Sequence, residues 1–117
     1  MSISKVVLLL TFLSITVSIS FPTHSFNISQ NVCEYIASDD KKRLRALLKT
    51  NRLKIRGIFK DVLCNDMNIL IFAAKRNANQ VGSLIIKKLP KSVLKEQIAD
   101  LEAASADLAT KAKERAG

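Results

Sequence analysis

The sequence predicts an all-α protein, with two helix–turn–helix units followed by a long C-terminal helix, behind an N-terminal export signal. Three observations carry that expectation. Apolar residues recur at three- and four-residue spacing from Val32 onward, the period of an amphipathic helix. Sliding the chain over itself by 37 residues places Tyr35-Ile36-Ala37 on Phe72-Ala73-Ala74, Leu44 on Val81, Ala46 on Ser83 and Leu47-Leu48 on Leu84-Ile85. From Pro90 the composition shifts to Ala, Glu, Asp and Lys, with a seam of Leu94, Ile98, Leu101, Ser105, Leu108 and Ala112 at spacings of four and three. The chain thus divides into a signal peptide over 1–20, a flexible leader over 21–31, a helical domain over 32–89 and an amphipathic helix over 90–117.

The first twenty residues, MSISKVVLLLTFLSITVSIS, have the three parts of a secretory signal. Lys5 supplies the positive start, Val6 to Ile19 the apolar stretch, and Ser18 and Ser20 the small residues that precede cleavage. Thr23 and Ser25 offer a later cleavage site, after residue 25. A membrane anchor is the rival reading, but the apolar run of about 14 residues falls short of the ~20 that span a bilayer. Small residues follow it, rather than a basic cluster. The expected address is therefore exported, periplasmic or secreted. Loss of Lys5 with the signal takes the net charge from +9 to +8. A mature chain of about 92 to 97 residues makes one domain, small enough to need a staple.

Cys33 and Cys64 are the only cysteines. In an exported protein two cysteines most simply form one disulfide. A metal pair or free thiols are the alternatives, and two cysteines without histidine support are too few ligands for zinc. The leader holds Pro22 and an Asn27-Ile28-Ser29 glycosylation pattern, meaningful only in a eukaryotic host.

Val32, Tyr35 and Ile36 open the first helix. Ser38 reads as the cap of the second, with Asp39 and Asp40 in its first turn, where the helix dipole favours negative charge. Leu44, Leu47 and Leu48 form the inward face of that second helix, leaving Lys42, Arg45 and Lys49 outward, and Asn51 ends it. Residues 52 to 66 read as an ordered connection with one short helix over Ile58 to Leu63 and a turn at Asn65-Asp66. Asn68 caps the next helix, whose Ile69, Leu70, Phe72, Ala73 and Ala74 are apolar almost all round, so it is expected to be buried. Asn77 to Asn79 breaks it. The following helix turns Val81, Leu84, Ile85 and Leu89 inward and Lys87 and Lys88 outward, and Pro90 stops it. The remainder reads as one long helix, docked or projecting, with Lys111, Lys113 and Arg115 suiting its C-terminal end.

A repeat period between 20 and 50 residues points to stacked units, each unable to bury its apolar face alone. NILIFAAKRNANQVGSLIIKK, Asn68 to Lys88, resembles an ankyrin repeat. Asn68-Ile69-Leu70-Ile71 sits at the family's Thr-Pro-Leu-His box, Ala73-Ala74 at its paired alanines, and Asn77 at its turn glycine. Val81, Leu84, Ile85 and Ile86 sit at the apolar positions of its second helix. The earlier unit, Cys33 to Leu48, is similar but lacks the box. Ankyrin units run to about 33 residues and stand in groups of three or more. With only two here, the disulfide and the C-terminal helix would have to replace missing neighbours. The export signal together with CEYIASDD and LCNDMNILIFAA also resembles a family of small exported proteobacterial proteins of unknown function, over about residues 32 to 92. That resemblance implies a periplasmic address and no established activity.

The chemistry-bearing residues are sparse. His24 is the only histidine and lies in the leader or leaves with the signal, so no nucleophile is paired with a base. Gly57, Gly82 and Gly117 form no phosphate loop. Asp39-Asp40 fits helix-dipole partners better than a paired-carboxylate site. Tyr35, Phe59 and Phe72 fit a core better than a base-stacking platform. No enzyme activity, catalytic residue, metal or cofactor is expected.

KKRLRALLKTNRLKIRGIFK, Lys41 to Lys60, holds nine basic residues and no acidic one. Interleaved apolar residues mean a folded segment with its charges turned outward, and the imbalance creates a field that favours anionic partners. Lys42, Arg45, Lys49, Arg52, Lys54, Arg56 and Lys60 are the candidate contacts. The expected function is a non-enzymatic interaction module that binds a protein partner. The alternative is a basic envelope-surface binder of anionic lipid or polysaccharide. Nucleic acid is a poor match for an exported protein.

Overall fold

A computed structural model describes residues 27–117. The expected signal peptide, both cleavage sites, the leader up to residue 26 and His24 lie outside the described residues. The described residues form seven helices and no strand: α1 (Ile28–Ala37), α2 (Lys41–Thr50), α3 (Ile55–Asp61), α4 (Ile69–Lys75), α5 (Asn79–Lys88), α6 (Lys91–Ala104) and α7 (Ala106–Ala116). Helix α1 starts at Ile28 rather than near Val32, so the leader's last four residues are helical. Asn27 makes this possible, because its side chain accepts the Gln30 N–H at 3.1 Å and caps the helix.

Three helical hairpins stack side by side. α1 packs on α2, α4 on α5 and α6 on α7. Across the stack α4 touches both α1 and α6, and α5 touches both α2 and α7. The result is an inner row α1–α4–α6 and an outer row α2–α5–α7. Helix α3 sits in the connection and rests on α4 and α5. It spans Ile55–Asp61, three residues before the expected start, because Ile55 and Ile58 are the positions it buries.

All six residues from Ile69 to Ala74 of α4 are buried, as a helix apolar all round requires. The other helices bury one stripe each: Val32 and Ile36 on α1, Leu44 and Leu48 on α2, Leu94 and Leu101 on α6. Phe72 is in the core, while Tyr35 and Phe59 are half-buried against it.

The turns are built from one device used three times. After α1 the Asp39 N–H donates to the Ile36 carbonyl and the Asp40 N–H to the Tyr35 carbonyl. The same pair of bonds closes α2 through Arg52 and Leu53, and α4 through Asn77 and Ala78. This is the Schellman closure, which needs one residue in the left-handed region. Here Asp39 (φ 54°), Arg52 (φ 57°) and Asn77 (φ 57°) fill it instead of glycine. Matching the turns sets the offset between the first two hairpins at 38, since Asp39 corresponds to Asn77 and Lys41 to Asn79. The side-chain match at 37 is one residue short of that backbone register.

Ser38 is not the cap of α2. It ends α1, its hydroxyl donating to the Glu34 carbonyl at 3.0 Å and lying 3.3 Å from that of Tyr35. The cap is Asp40, which accepts the Arg43 N–H at 3.0 Å. Asp39 reaches across the stack and accepts the Val81 N–H at 2.8 Å and the Gln80 N–H at 3.3 Å. Ala78, the residue before α5, has no side chain that can do this. One hairpin therefore caps a helix of the next.

The expected single C-terminal helix is two helices. Ser105 adopts an extended backbone (φ −156°, ψ 107°), ends α6 and starts α7, its hydroxyl accepting the Leu108 N–H at 3.2 Å. What bends the chain here is the surface it meets. Leu108 seats on Gly82, where an added Cβ would lie 2.5 Å from a Leu108 methyl. The Arg115 guanidinium donates to the Ile86 and Leu89 carbonyls at 2.9 and 3.1 Å, a cation at the C-terminal end of α5. Asn68 Nδ2 donates to Gln97 Oε1 at 2.8 Å and ties α6 to the start of α4. Glu102 and Lys113 pair within the third hairpin.

Cys33 on α1 and Cys64 after α3 are disulfide-bonded, with Cα atoms 5.6 Å apart. A tight turn presents Cys64: its N–H donates to the Met67 carbonyl at 2.8 Å and its carbonyl accepts the Met67 N–H at 3.0 Å. Asn65 and Asp66 between them both have positive φ, 53° and 64°, the type I′ pattern that Asn and Asp tolerate. Asn68 follows and accepts the Leu70 and Ile71 N–H groups. The disulfide thus fixes the segment that launches α4.

Three outcomes follow from these contacts. Gly82→Leu should lower stability by about 2 kcal/mol through overpacking and open the Ser105 junction to protease before the rest of the chain; an unchanged digestion pattern would refute the docking of Leu108. Asp39→Ala should cost about 1–2 kcal/mol in urea denaturation through the lost cap together with the strain of alanine at positive φ, with Asp39→Asn, which suits both roles, retaining most of the stability; equal losses in both variants would deny the capping role. Reduction, or Cys33→Ser with Cys64→Ser, should cost about 3 kcal/mol, and coincident urea midpoints with and without reductant would show the sulfurs unbridged.

Candidate functional site

The outer row carries the charge. α2 commits Leu44 and Leu48 to the core, which turns Lys42, Arg45 and Lys49 to water. Arg52, Lys54, Arg56 and Lys60 are exposed as well. Of the nine basic residues from Lys41 to Lys60, only Arg43 forms an ion pair among the described residues, with Asp40 at 3.5 Å.

Four of the seven expected contacts converge. Arg45, Lys49, Lys54 and Arg56 surround an open groove of about 470 Å³ between α2, the start of α3 and α5. Lys88 of α5 completes the rim, and Leu48, Leu53, Ile55 and Leu84 form the floor. A second hollow of about 380 Å³ adjoins it and shares Arg45, Leu84 and Lys88. It adds Lys41, Lys87 and, from the third hairpin, Lys111. The Lys111 ammonium lies 3.1 Å from the Ser83 hydroxyl and 3.7 Å from the Asp107 carboxylate.

The remaining expected contacts separate from this surface. Lys42 borders a different hollow, at the α1–α2 turn beside Asp39 and Asp40. Arg52 and Lys60 line neither basic hollow; Arg52 is the left-handed residue that closes α2. Three lysines that reading the basic run alone misses, Lys87, Lys88 and Lys111, belong to the surface. The repeat held the signal for two of them. Equivalent positions of stacked units are neighbours, and at an offset of 38 Lys49 and Thr50 correspond to Lys87 and Lys88. Lys111 had no such signal, because its place depends on the fold-back at Ser105.

The groove is open rather than deep, and its leucine floor is almost wholly covered, with Leu48 6% and Leu84 8% exposed. Asp39 and Asp40 serve as caps of α5 and α2, so this carboxylate pair has structural work at two helix starts. Elsewhere Leu63, beside Cys64, stands out as an exposed large apolar side chain. No described helix is long and apolar enough to cross a membrane.

A family model described as a protein of unknown function, DUF3718, matches residues 32–96. That span holds both cysteines, the first hairpin from Val32 onward, the whole second hairpin and every groove residue except Lys111 of the adjoining hollow. No curated protein and no solved structure matches the chain. With more than half of its length covered by that model, the chain belongs to the DUF3718 family of proteins of unknown function.

Proposed function

We propose that this chain is a non-enzymatic, exported interaction module that binds an acidic protein partner through the outer row of its helices. The observation that carries the reading is the ring of cations without carboxylate partners around an apolar-floored groove. Such a ring raises the local concentration of anionic partners and steers their approach. Stacked helix–turn–helix units support it further. They are the arrangement the ankyrin resemblance implies, and stacks of this kind present extended surfaces for contact. Export rests on the three-part leader of the sequence and on a disulfide that a reducing cytosol would not maintain. The proteobacterial resemblance would make the compartment the periplasm.

The rival, adsorption to anionic lipid or polysaccharide, draws on the same charge. The shape of the surface favours the protein partner. Cations of α2, α3 and α5 ring one concave groove of about 470 Å³, so a protruding protein segment can lie among them and reach its floor, whereas a flat bilayer touches the cations and not the floor.

The test compares the oxidised protein with a Lys49→Glu/Lys88→Glu variant as immobilised bait for periplasmic extract, alongside flotation with phosphatidylglycerol vesicles. Both side chains are exposed, so the variant should keep its fold. Proteins held by the wild type and lost by the variant are the expected outcome. Identical retention by both would remove the groove from the account, and salt-sensitive flotation with no retained protein would transfer the function to the membrane surface.

A further inference from the structure

The two hollows differ in character, and the difference has a direction. The one nearer α3 has four apolar residues beneath its cations, Leu48, Leu53, Ile55 and Leu84. Its neighbour is lined by the polar side chains of Asn79, Gln80 and Ser83, with Leu84 at the boundary, and by Lys41, Lys87 and Lys111. Arg45 and Lys88 stand on the border between them. A ligand lying across both therefore meets an apolar floor ringed by Lys49, Lys54 and Arg56 at one end, Arg45 and Lys88 in the middle, and at the other end three lysines among polar side chains with no apolar floor beyond Leu84.

We infer that the partner presents a short segment with this polarity: one apolar side chain at one end, followed within a few residues by two or more carboxylates. This rests on the protein-binding reading above and specifies the ligand of that same surface. The apolar side chain covers the exposed edges of Leu53 and the floor leucines, and the carboxylates meet Arg45, Lys88 and the lysines beyond. Charge complementarity selects the acids, since no described carboxylate pairs with Arg45, Lys87 or Lys88. The apolar floor separates this ligand from a simple polyanion. A uniform acidic glycan satisfies the basic pocket and leaves Leu53, the half-buried residue of the floor, facing water, which forgoes the contribution of a buried apolar side chain.

Random dodecapeptides displayed on phage and selected on the oxidised full chain test the polarity without assuming a sequence. The expected result is enrichment of peptides with a Leu, Ile, Met or Phe to one side of at least two Asp or Glu. Replacing the apolar residue with Ser in a synthetic copy should weaken binding about tenfold, the value of one well-buried aliphatic side chain. The Lys49→Glu/Lys88→Glu variant should bind neither peptide. Acidic peptides enriched with no apolar preference, or bound equally well after the Ser replacement, would overturn the inference and leave the protein-binding reading standing. If selection on the wild type enriches nothing beyond selection on the variant, the reading fails and the inference falls with it.

Discussion

Helix α4 has no face to give to water. Its six residues from Ile69 to Ala74 are all buried, and the four large ones alone contribute about 6–12 kcal/mol of apolar burial if fully covered. That is of the order of a small domain's whole net stability. A single hairpin cannot cover such a helix, because its partner α5 shields only one side. The fold answers by placing α1 against one flank and α6 against the other, with α3 resting on it as well. Everything else about the architecture follows from supplying those neighbours in a chain this short.

That constraint explains how the C-terminal region behaves. Two hairpins would leave α4 and α5 open along one side, and a straight helix of 27 residues could cover only one of them. Folding back at Ser105 lets α6 cover α4 while α7 covers α5. The local sequence permits the break without demanding it, since a serine can serve as the end of one helix and the cap of the next. Selection of the bent form comes from Gly82, which leaves room for Leu108, and from the α5 carbonyls that receive Arg115. The disulfide plays the matching role at the other end, holding α1 to the segment that starts α4. Asp39 adds a polar tie between the first two hairpins.

How much of this the sequence revealed depends on whether a feature is local. The all-α class, the buried α4, the cysteine pair and the outward aim of Lys42, Arg45 and Lys49 follow from spacing and composition within one helix or one motif. The break at Ser105 does not. Leu94, Leu101 and Leu108 sit seven apart, and that spacing reads the same for one straight stripe and for two helices folded together. No glycine or proline marks the bend. The repeat was visible, but similarity of side chains aligned it at 37, whereas the turns, where Asp39 and Asn77 share a left-handed backbone, align it at 38. Side-chain matching tracks which residues are apolar; backbone closure tracks where the chain reverses. The composite basic surface required both the correct stacking and the fold-back, so Lys88 and Lys111 stayed out of view while Arg45 and Lys49 did not.

The placement of the acids bears on why the outer row is so unbalanced. Asp40 and Asp39 lie on helix starts, accepting backbone N–H groups of α2 and α5, and Asp107 lies in the first turn of α7. There they offset helix dipoles rather than neutralise Arg45, Lys49 or Lys88. Two like charges about 10 Å apart in water repel by roughly 0.4 kcal/mol before salt screens them. The rim therefore costs a few tenths of a kcal/mol per neighbouring pair, small beside the burial of α4 and easily tolerated. It is still a cost without a structural return, since no described contact of the fold uses the charge of Lys49, Lys54, Arg56 or Lys88. A ligand carboxylate seated in the groove reverses its sign, replacing repulsion among the cations with attraction. Whatever binds there also stabilises the stacked hairpins that form the groove, because the unfolded chain offers no such ring of charge.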